Sequence, residues 1–345
     1  MKTLFTSILL IIFLFNVNSF AQIAGQVKME DKYNYLTALS YVDTLTQPVK
    51  RYLRENKIGL EFFAGVLQGF DNNVNLDPSR KKDGFLETSL NTEVTYNYTD
   101  EIRLKLENYT TDILYYNVNN ANMLDVYTKV GLEADVLKKV LTLGTDYAFD
   151  FVYFPVDEDG TYLGNEARVY AKHNILPYLY QRLRYKYLHK NYTSGKTRAA
   201  DSKKTDTLRR DNRHIMDYEL GFYLSDKAIL KTNLELYRNT SNYEYFSYYD
   251  FWSFRVRPSY ILTITKKLYT SGSFIYQQRR YDDRRSSEND EHVYDDTYSF
   301  NASLLYNLTR SFTIALNCSY RENISNEPLQ KYSGTIFTGG VYYSF

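Results

Sequence analysis

Arg182, Arg184 and Lys186 alternate with Leu183, Tyr185 and Tyr187, and the same spacing returns where Arg255 and Arg257 alternate with Phe254, Val256 and, beyond Pro258, Tyr260. Successive side chains of an extended chain point to opposite faces, so each stretch carries cations on one face and apolar groups on the other. Asp217 and Glu219 alternate in the same way with Tyr218, Leu220 and Phe222. Rows of guanidinium, ammonium and carboxylate groups recognise ions or pair with one another. If these stretches are neighbours, the charges form cross-strand ion pairs. If the charged faces line a lumen, they form an electrostatic filter or a sliding surface for an anionic solute such as an acidic polysaccharide. Glu87, Glu93, Glu107, Glu133 and Glu235 would put negative charge on other walls of that lumen.

No catalytic, cofactor or metal constellation accompanies these rows. His173, His189, His214 and His292 are scattered without metal-ligand spacing, and the one cysteine, Cys318, alternates with Leu316 and Tyr320 on an apolar face. Gly195-Lys196-Thr197 matches half of a phosphate-binding loop, but Lys190 stands where its first glycine belongs. No G-x-S-x-G occurs; His189 near Ser194 and His214 near Ser225 are better read as loop residues than as acyl-transfer pairs. Asp157-Glu158-Asp159-Gly160 and Asp282-Asp283-Arg284-Arg285 lack the spacing of a calcium loop. With 42 basic against 41 acidic residues, the charge makes no case for nucleic acid as a partner. The chain reads as no enzyme and as needing no cofactor.

The elements that position the charges are strands. From Leu86 to Tyr98 even positions carry Leu, Thr, Leu, Thr, Val, Tyr and Tyr, and odd positions are polar. After Thr99-Asp100-Glu101 the phase reverses, with Ile102, Leu104 and Leu106 opposite Arg103, Lys105 and Glu107, as in a tight hairpin. Similar short links recur around 135–140, 225–228, 265–267 and 309–311, and longer charged connections at 72–84, 155–165, 193–213, 282–291 and 322–331 alternate with them. Strands are predicted at 58–71, 84–98, 102–116, 123–136, 140–153, 166–175, 178–192, 214–224, 228–246, 249–264, 268–281, 293–308, 311–322 and 332–345. That is an all-β, up-and-down antiparallel transmembrane barrel of about fourteen strands. The reversal at Ile175-Leu176-Pro177 lacks a Gly or Asn, and without it the count becomes twelve or sixteen.

The amino terminus supplies the compartment. Lys2, the apolar run from Ile8 to Phe15 and Ser19-Phe20-Ala21 form a signal peptide over 1–21, and no later run reaches the ~18 residues of a membrane helix. The aromatic content, 37 Tyr and 20 Phe, suits girdles at two membrane interfaces. The division is then 1–21 signal peptide, 22–57 periplasmic segment or plug, and 58–345 barrel in the bacterial outer membrane. Even parity puts both barrel ends in the periplasm, and the last strand, ending on Phe345, should pair with the one starting near Ile58. Expected partners are outer-membrane lipid and lipopolysaccharide, the barrel-assembly machinery during insertion, and a periplasmic protein reached through 22–57.

Arg255-Val256-Arg257-Pro258-Ser259-Tyr260, then Tyr276-Gln277-Gln278-Arg279-Arg280-Tyr281-Asp282-Asp283 and Asp295-Asp296-Thr297-Tyr298-Ser299, give the region 215–345 its character. It resembles the uncharacterised, porin-like outer-membrane β-barrel proteins of Gram-negative bacteria, and its Tyr- and Asn-rich style is similar to Bacteroidota envelope proteins. The resemblance implies a barrel and transport, and transfers no catalytic residue. The expected function is a pore or export conduit for a polar or anionic solute such as a saccharide. The rivals are a non-enzymatic barrel subunit of a surface lipoprotein or glycan assembly system, and an outer-membrane enzyme.

Overall fold

The computed structural model describes residues 51–53, 57–137 and 140–345. The signal peptide expected over 1–21 and most of the segment expected over 22–57 therefore lie outside the described residues. A short strand β1 (Arg51–Leu53) precedes fourteen long ones: β2 (Ile58–Asp71), β3 (Asp83–Asn97), β4 (Ile102–Tyr115), β5 (Met123–Val136), β6 (Leu141–Tyr153), β7 (Tyr162–Leu176), β8 (Leu179–Arg198), β9 (Lys204–Ser225), β10 (Ala228–Ser241), β11 (Phe251–Thr263), β12 (Leu268–Arg285), β13 (His292–Asn307), β14 (Phe312–Ser325) and β15 (Tyr332–Ser344). Each of β2 to β15 pairs antiparallel with its neighbours in sequence, and β15 returns to β2 with Ile336 opposite Asp71 and Ser344 opposite Phe63. The sheet closes, so fourteen strands leave no free edge in the wall. At about 4.8 Å between strands and a tilt of roughly 40°, the backbone radius is about 14 Å.

Period two sorts the side chains. Val66, Leu104, Leu106, Val130, Leu132, Val169, Leu183 and Leu316 are exposed on the outer surface of the barrel, an apolar face suited to hydrocarbon. Their strand neighbours point inward and are largely polar. Among the described residues no helix is long and apolar enough to cross a membrane.

The fourteen strands, the closure of the last onto the first and the short links at one end agree with the alternation. The Pro177 reversal is real and very tight: Leu176 pairs with Leu179, leaving Pro177 and Tyr178 as the turn. Several boundaries are corrected. The 193–213 connection is not a loop, because β8 and β9 continue as a two-stranded ribbon to Arg198 and Lys204. β7 likewise begins at Tyr162 rather than 166, β12 runs on to Arg285, and β10 stops at Ser241 rather than 246. The ribbon runs past the neighbouring strands of the wall, and its sequence, Lys-Thr-Arg then Lys-Thr-Asp-Thr, has no apolar alternation to read.

Candidate functional site: a charged belt inside the barrel

All seven residues singled out from the sequence, Arg182, Arg184, Lys186, Asp217, Glu219, Arg255 and Arg257, fall on the inward side of their strands, opposite exposed Leu183, Tyr185, Met216 and Phe254. The register makes most of them partners. Arg182 lies opposite Glu219 and Arg184 opposite Asp217; Arg182 Nη2 donates to Glu219 Oε2 at 2.9 Å and Arg184 Nη2 to Asp217 Oδ1 at 2.8 Å. Glu235, on β10, accepts from Arg255 Nη2 at 2.6 Å and has Lys186 Nζ at 3.7 Å. Arg257 stands opposite Asn233 on β10. The basic rows are thus cross-strand ion pairs.

The belt extends further than the sequence reading reached. On β4 and β5, Arg103 binds Glu133 at 3.2 Å and Asp135 at 2.6 Å, while Lys105 binds Glu133 at 3.1 Å. On β6 and β7, Arg168 pairs with Asp146 and, at 2.9 Å, with Glu166. On β12 and β13, Arg279 stands 3.8 Å from Asp295. The signal for Arg168 was present, since Arg168-x-Tyr170-x-Lys172 repeats the alternation of Arg182-x-Arg184-x-Lys186. Tertiary pairing was needed to show that these rows adjoin.

The two signs are not evenly mixed around the wall. Inward positions of β2 to β6 are mainly acidic, with Glu61, Glu87, Glu93, Glu107, Asp125, Glu133, Asp135, Asp146 and Asp150 against Arg103, Lys105 and Lys129. Inward positions of β7 to β11 are mainly basic, with Arg168, Lys172, Arg182, Arg184, Lys186, Lys190, Arg213, Lys231, Arg255 and Arg257 against Glu166, Asp211, Asp217, Glu219 and Glu235. Pairing neutralises neighbours locally, and the arcs as wholes keep opposite excess charge. A narrow low-dielectric tube focuses such a field across its bore.

At the outer rim the loop between β10 and β11 turns back onto inward arginines. Arg209 is stacked between Tyr249 and Tyr192, its guanidinium carbon 3.2 and 4.2 Å from the two ring centres. Arg284 lies 3.8 Å over Tyr248. Across the rim, Val74, Phe85, Tyr115, Val118, Met123, Phe154 and Tyr332 pack as an apolar cluster. Neither feature was foreseen, because their partners lie on different loops.

The serine and histidine pairs considered from the sequence do not assemble. His189 contacts Asn212 at 2.8 Å and Asn191 at 3.2 Å, while Ser194 donates to the Glu158 carbonyl. His214 points outward against Tyr185 at 2.7 Å, and Ser225 Oγ accepts from the Lys227 backbone.

No family model matches the chain, and no curated protein does. Solved structures with a similar trace include the anion-selective porin from Comamonas acidovorans, at 10% identity and TM-score 0.46, covering 84% of this chain and 99% of that one. They also include OmpT of Vibrio cholerae, an outer-membrane protein, at 9% identity and TM-score 0.48, covering 86% and 100%. A third is the CymD monoaromatic hydrocarbon channel, at 8% identity and TM-score 0.49, covering 83% and 88%. Identities this low leave the reading of the interior to its own geometry.

Proposed function

We propose that this barrel is a non-enzymatic conduit for polar solutes across the outer membrane, with an anionic or saccharide-like cargo. The observation that carries this reading is the segregation of charge inside the barrel, basic on β7 to β11 and acidic on β2 to β6. A field across the bore aligns water and dipolar solutes and offers hydrogen-bonding groups to hydroxyls and carboxylates, while an apolar solute gains nothing from it. The ion pairs hold long side chains against the wall.

Single-channel recording of the refolded protein in a salt gradient tests the reading. Replacing Arg182, Arg184, Arg255 and Arg257 together by Ser should move the reversal potential towards cation preference with conductance retained. Absence of current from both the mature chain and a chain beginning at Arg51, or an unchanged reversal potential in the variant, overturns it.

A further inference from the structure

The middle of the outer face is apolar on most strands, with Val169, Leu183, Leu234, Phe300, Leu316 and Val341 turned outward and exposed. β4 departs from this. Between Leu114 and Leu106 it turns Asp112, Thr110 and Asn108 outward in succession, and Asn108 stands at mid-strand. Register spreads the polar patch sideways. Asn108 lies opposite Thr92 of β3 and Thr128 of β5, and these lie opposite Phe62 of β2 and Phe149 of β6. Across five strands the outward row therefore reads Phe, Thr, Asn, Thr, Phe, the same in both directions about β4.

The patch does not satisfy itself. Asn108 Nδ2 donates to Thr128 Oγ1 at 2.8 Å, and Asn108 Oδ1 accepts from Thr110 Oγ1 at 3.5 Å. A side-chain amide has two N–H donors and two oxygen lone pairs, so one of each is left over at Asn108 among the described residues. Asp112 bonds no described residue, whereas the other outward carboxylates of the wall, Asp282, Asp296 and Glu322, bond Arg238, Arg280 and Tyr320. Hydrocarbon offers no hydrogen bond, so spare donors and acceptors at mid-height call for a protein neighbour.

We propose that the outer face of β3 to β5 is the interface with a second copy of this chain, related to the first by a two-fold axis along the membrane normal that passes beside Asn108. Two copies in one membrane share an orientation, so such an axis brings residues of equal depth together, and a patch that reads the same in both directions is complementary to itself. At the axis the two Asn108 amides pair reciprocally, each donating its spare N–H to the other's oxygen. The threonine hydroxyls and the rings of Phe62 and Phe149 widen the contact to four inter-strand steps, about 19 Å. A lipid chain supplies neither of the amide bonds, and an unrelated protein would require no mirrored order about β4. The interface goes beyond the conduit reading; it rests on the outer-membrane placement of the barrel and not on any cargo.

Cys318 is the chain's one cysteine, so a Cys318→Ser background carries one label or one cross-linkable thiol at a chosen place. With the full mature protein in outer-membrane vesicles, counting the bleaching steps of a dye on Lys227→Cys, in the turn between β9 and β10, should give two copies per particle. Asn108→Leu with Thr128→Leu should lower the paired fraction about tenfold, which is what two hydrogen bonds of bilayer strength amount to. Leucine suits a lipid-facing site, and heat-modifiable migration checks that this variant is folded. Asn108→Cys, oxidised with copper phenanthroline, should give a disulfide dimer of twice the chain's mass, and Val256→Cys on β11, halfway round the wall, should not. A count other than two, a paired fraction unchanged in the leucine variant, cross-linking at Val256→Cys equal to that at Asn108→Cys, or an Asn108→Cys adduct with a protein of another mass overturns the proposal. Recovery of the chain from the soluble fraction rejects the membrane placement, and the interface with it.

Discussion

Arg184 and Asp217 face each other on neighbouring strands, with Arg184 Nη2 donating to Asp217 Oδ1 at 2.8 Å while Asn233 of the next strand donates to Oδ2, also at 2.8 Å. One carboxylate, 2% exposed, thus ties β8, β9 and β10 together. Removing it leaves a guanidinium held on the wall without its counter-charge, which costs more than the pair itself contributes. Asp217→Ala should lower stability by about 2 to 4 kcal/mol, and Asp217→Asn by less. Urea unfolding in vesicles, followed by the fluorescence of Trp252, the chain's one tryptophan, measures both. A loss under about 0.5 kcal/mol, the range of an exposed pair, would contradict the assignment.

Gly144 and Gly221 are inward glycines beneath aromatic rings: a Cβ on Gly144 would strike the Tyr170 ring, and one on Gly221 the Tyr180 ring. Each ring lies across the neighbouring strand and fills the space that a side chain would take. Gly144→Val should destabilise the barrel by about 1 to 3 kcal/mol through overpacking, and Tyr170→Ala in the same chain should recover part of the loss. Heat-modifiable migration on SDS gels is the readout, and a fully folded single variant with unchanged unfolding midpoint argues against the packing.

Val130 and Lys129 are adjacent on β5 and point to opposite sides, Val130 outward and Lys129 towards Glu107. Val130→Arg should cost about 2 to 4 kcal/mol because it places a charge against the bilayer midplane. Lys129→Arg keeps the charge in the lumen and should be near neutral. Equal effects from the two would mean that the faces have been assigned wrongly.

Asp83 holds the base of the loop between β4 and β5. It accepts hydrogen bonds from the backbone N–H of Asn117, Val118 and Gly84 at 2.7, 2.8 and 2.9 Å, and from the Asn117 side chain at 2.9 Å. Burial alone would raise its pKa, but the four donors outweigh that and hold it below the ordinary 3.8. A carboxylate with a depressed folded-state pKa contributes its full stabilisation above the ordinary value and loses it as pH falls through the folded one. The protection of the Asn117 and Val118 amides against hydrogen exchange, taken relative to the unstructured rate at each pH, should therefore be high at neutral pH and fall below pH 3.8. Asp83→Asn should lower the protection at neutral pH and flatten its dependence on pH.

Alternation was the legible part. Two-residue periodicity in stretches such as 86–98 and 102–107 located all fourteen barrel strands, and it put Arg182, Arg184 and Lys186 on one face because side-chain direction in a strand is a local property. It failed in the 193–213 ribbon, which runs past the neighbouring strands and carries almost no apolar residues to alternate with polar ones. It also missed the rim, where Arg209 meets Tyr249 and Tyr192, since stacking between a strand and two other elements leaves no periodic trace.

The sequence by itself determined which side chains share a face and pointed to about fourteen crossings, because both follow from the period of a strand and the punctuation of turns; the tight reversal at Pro177, which fixes the count, needed the strand pairing. Only the tertiary structure decided that Arg184 meets Asp217, that Glu235 serves both Arg255 and Lys186, and that the acidic and basic rows gather on separate arcs of the wall. Those facts depend on register and closure, set by the sum of cross-strand contacts around the whole barrel rather than by any one segment.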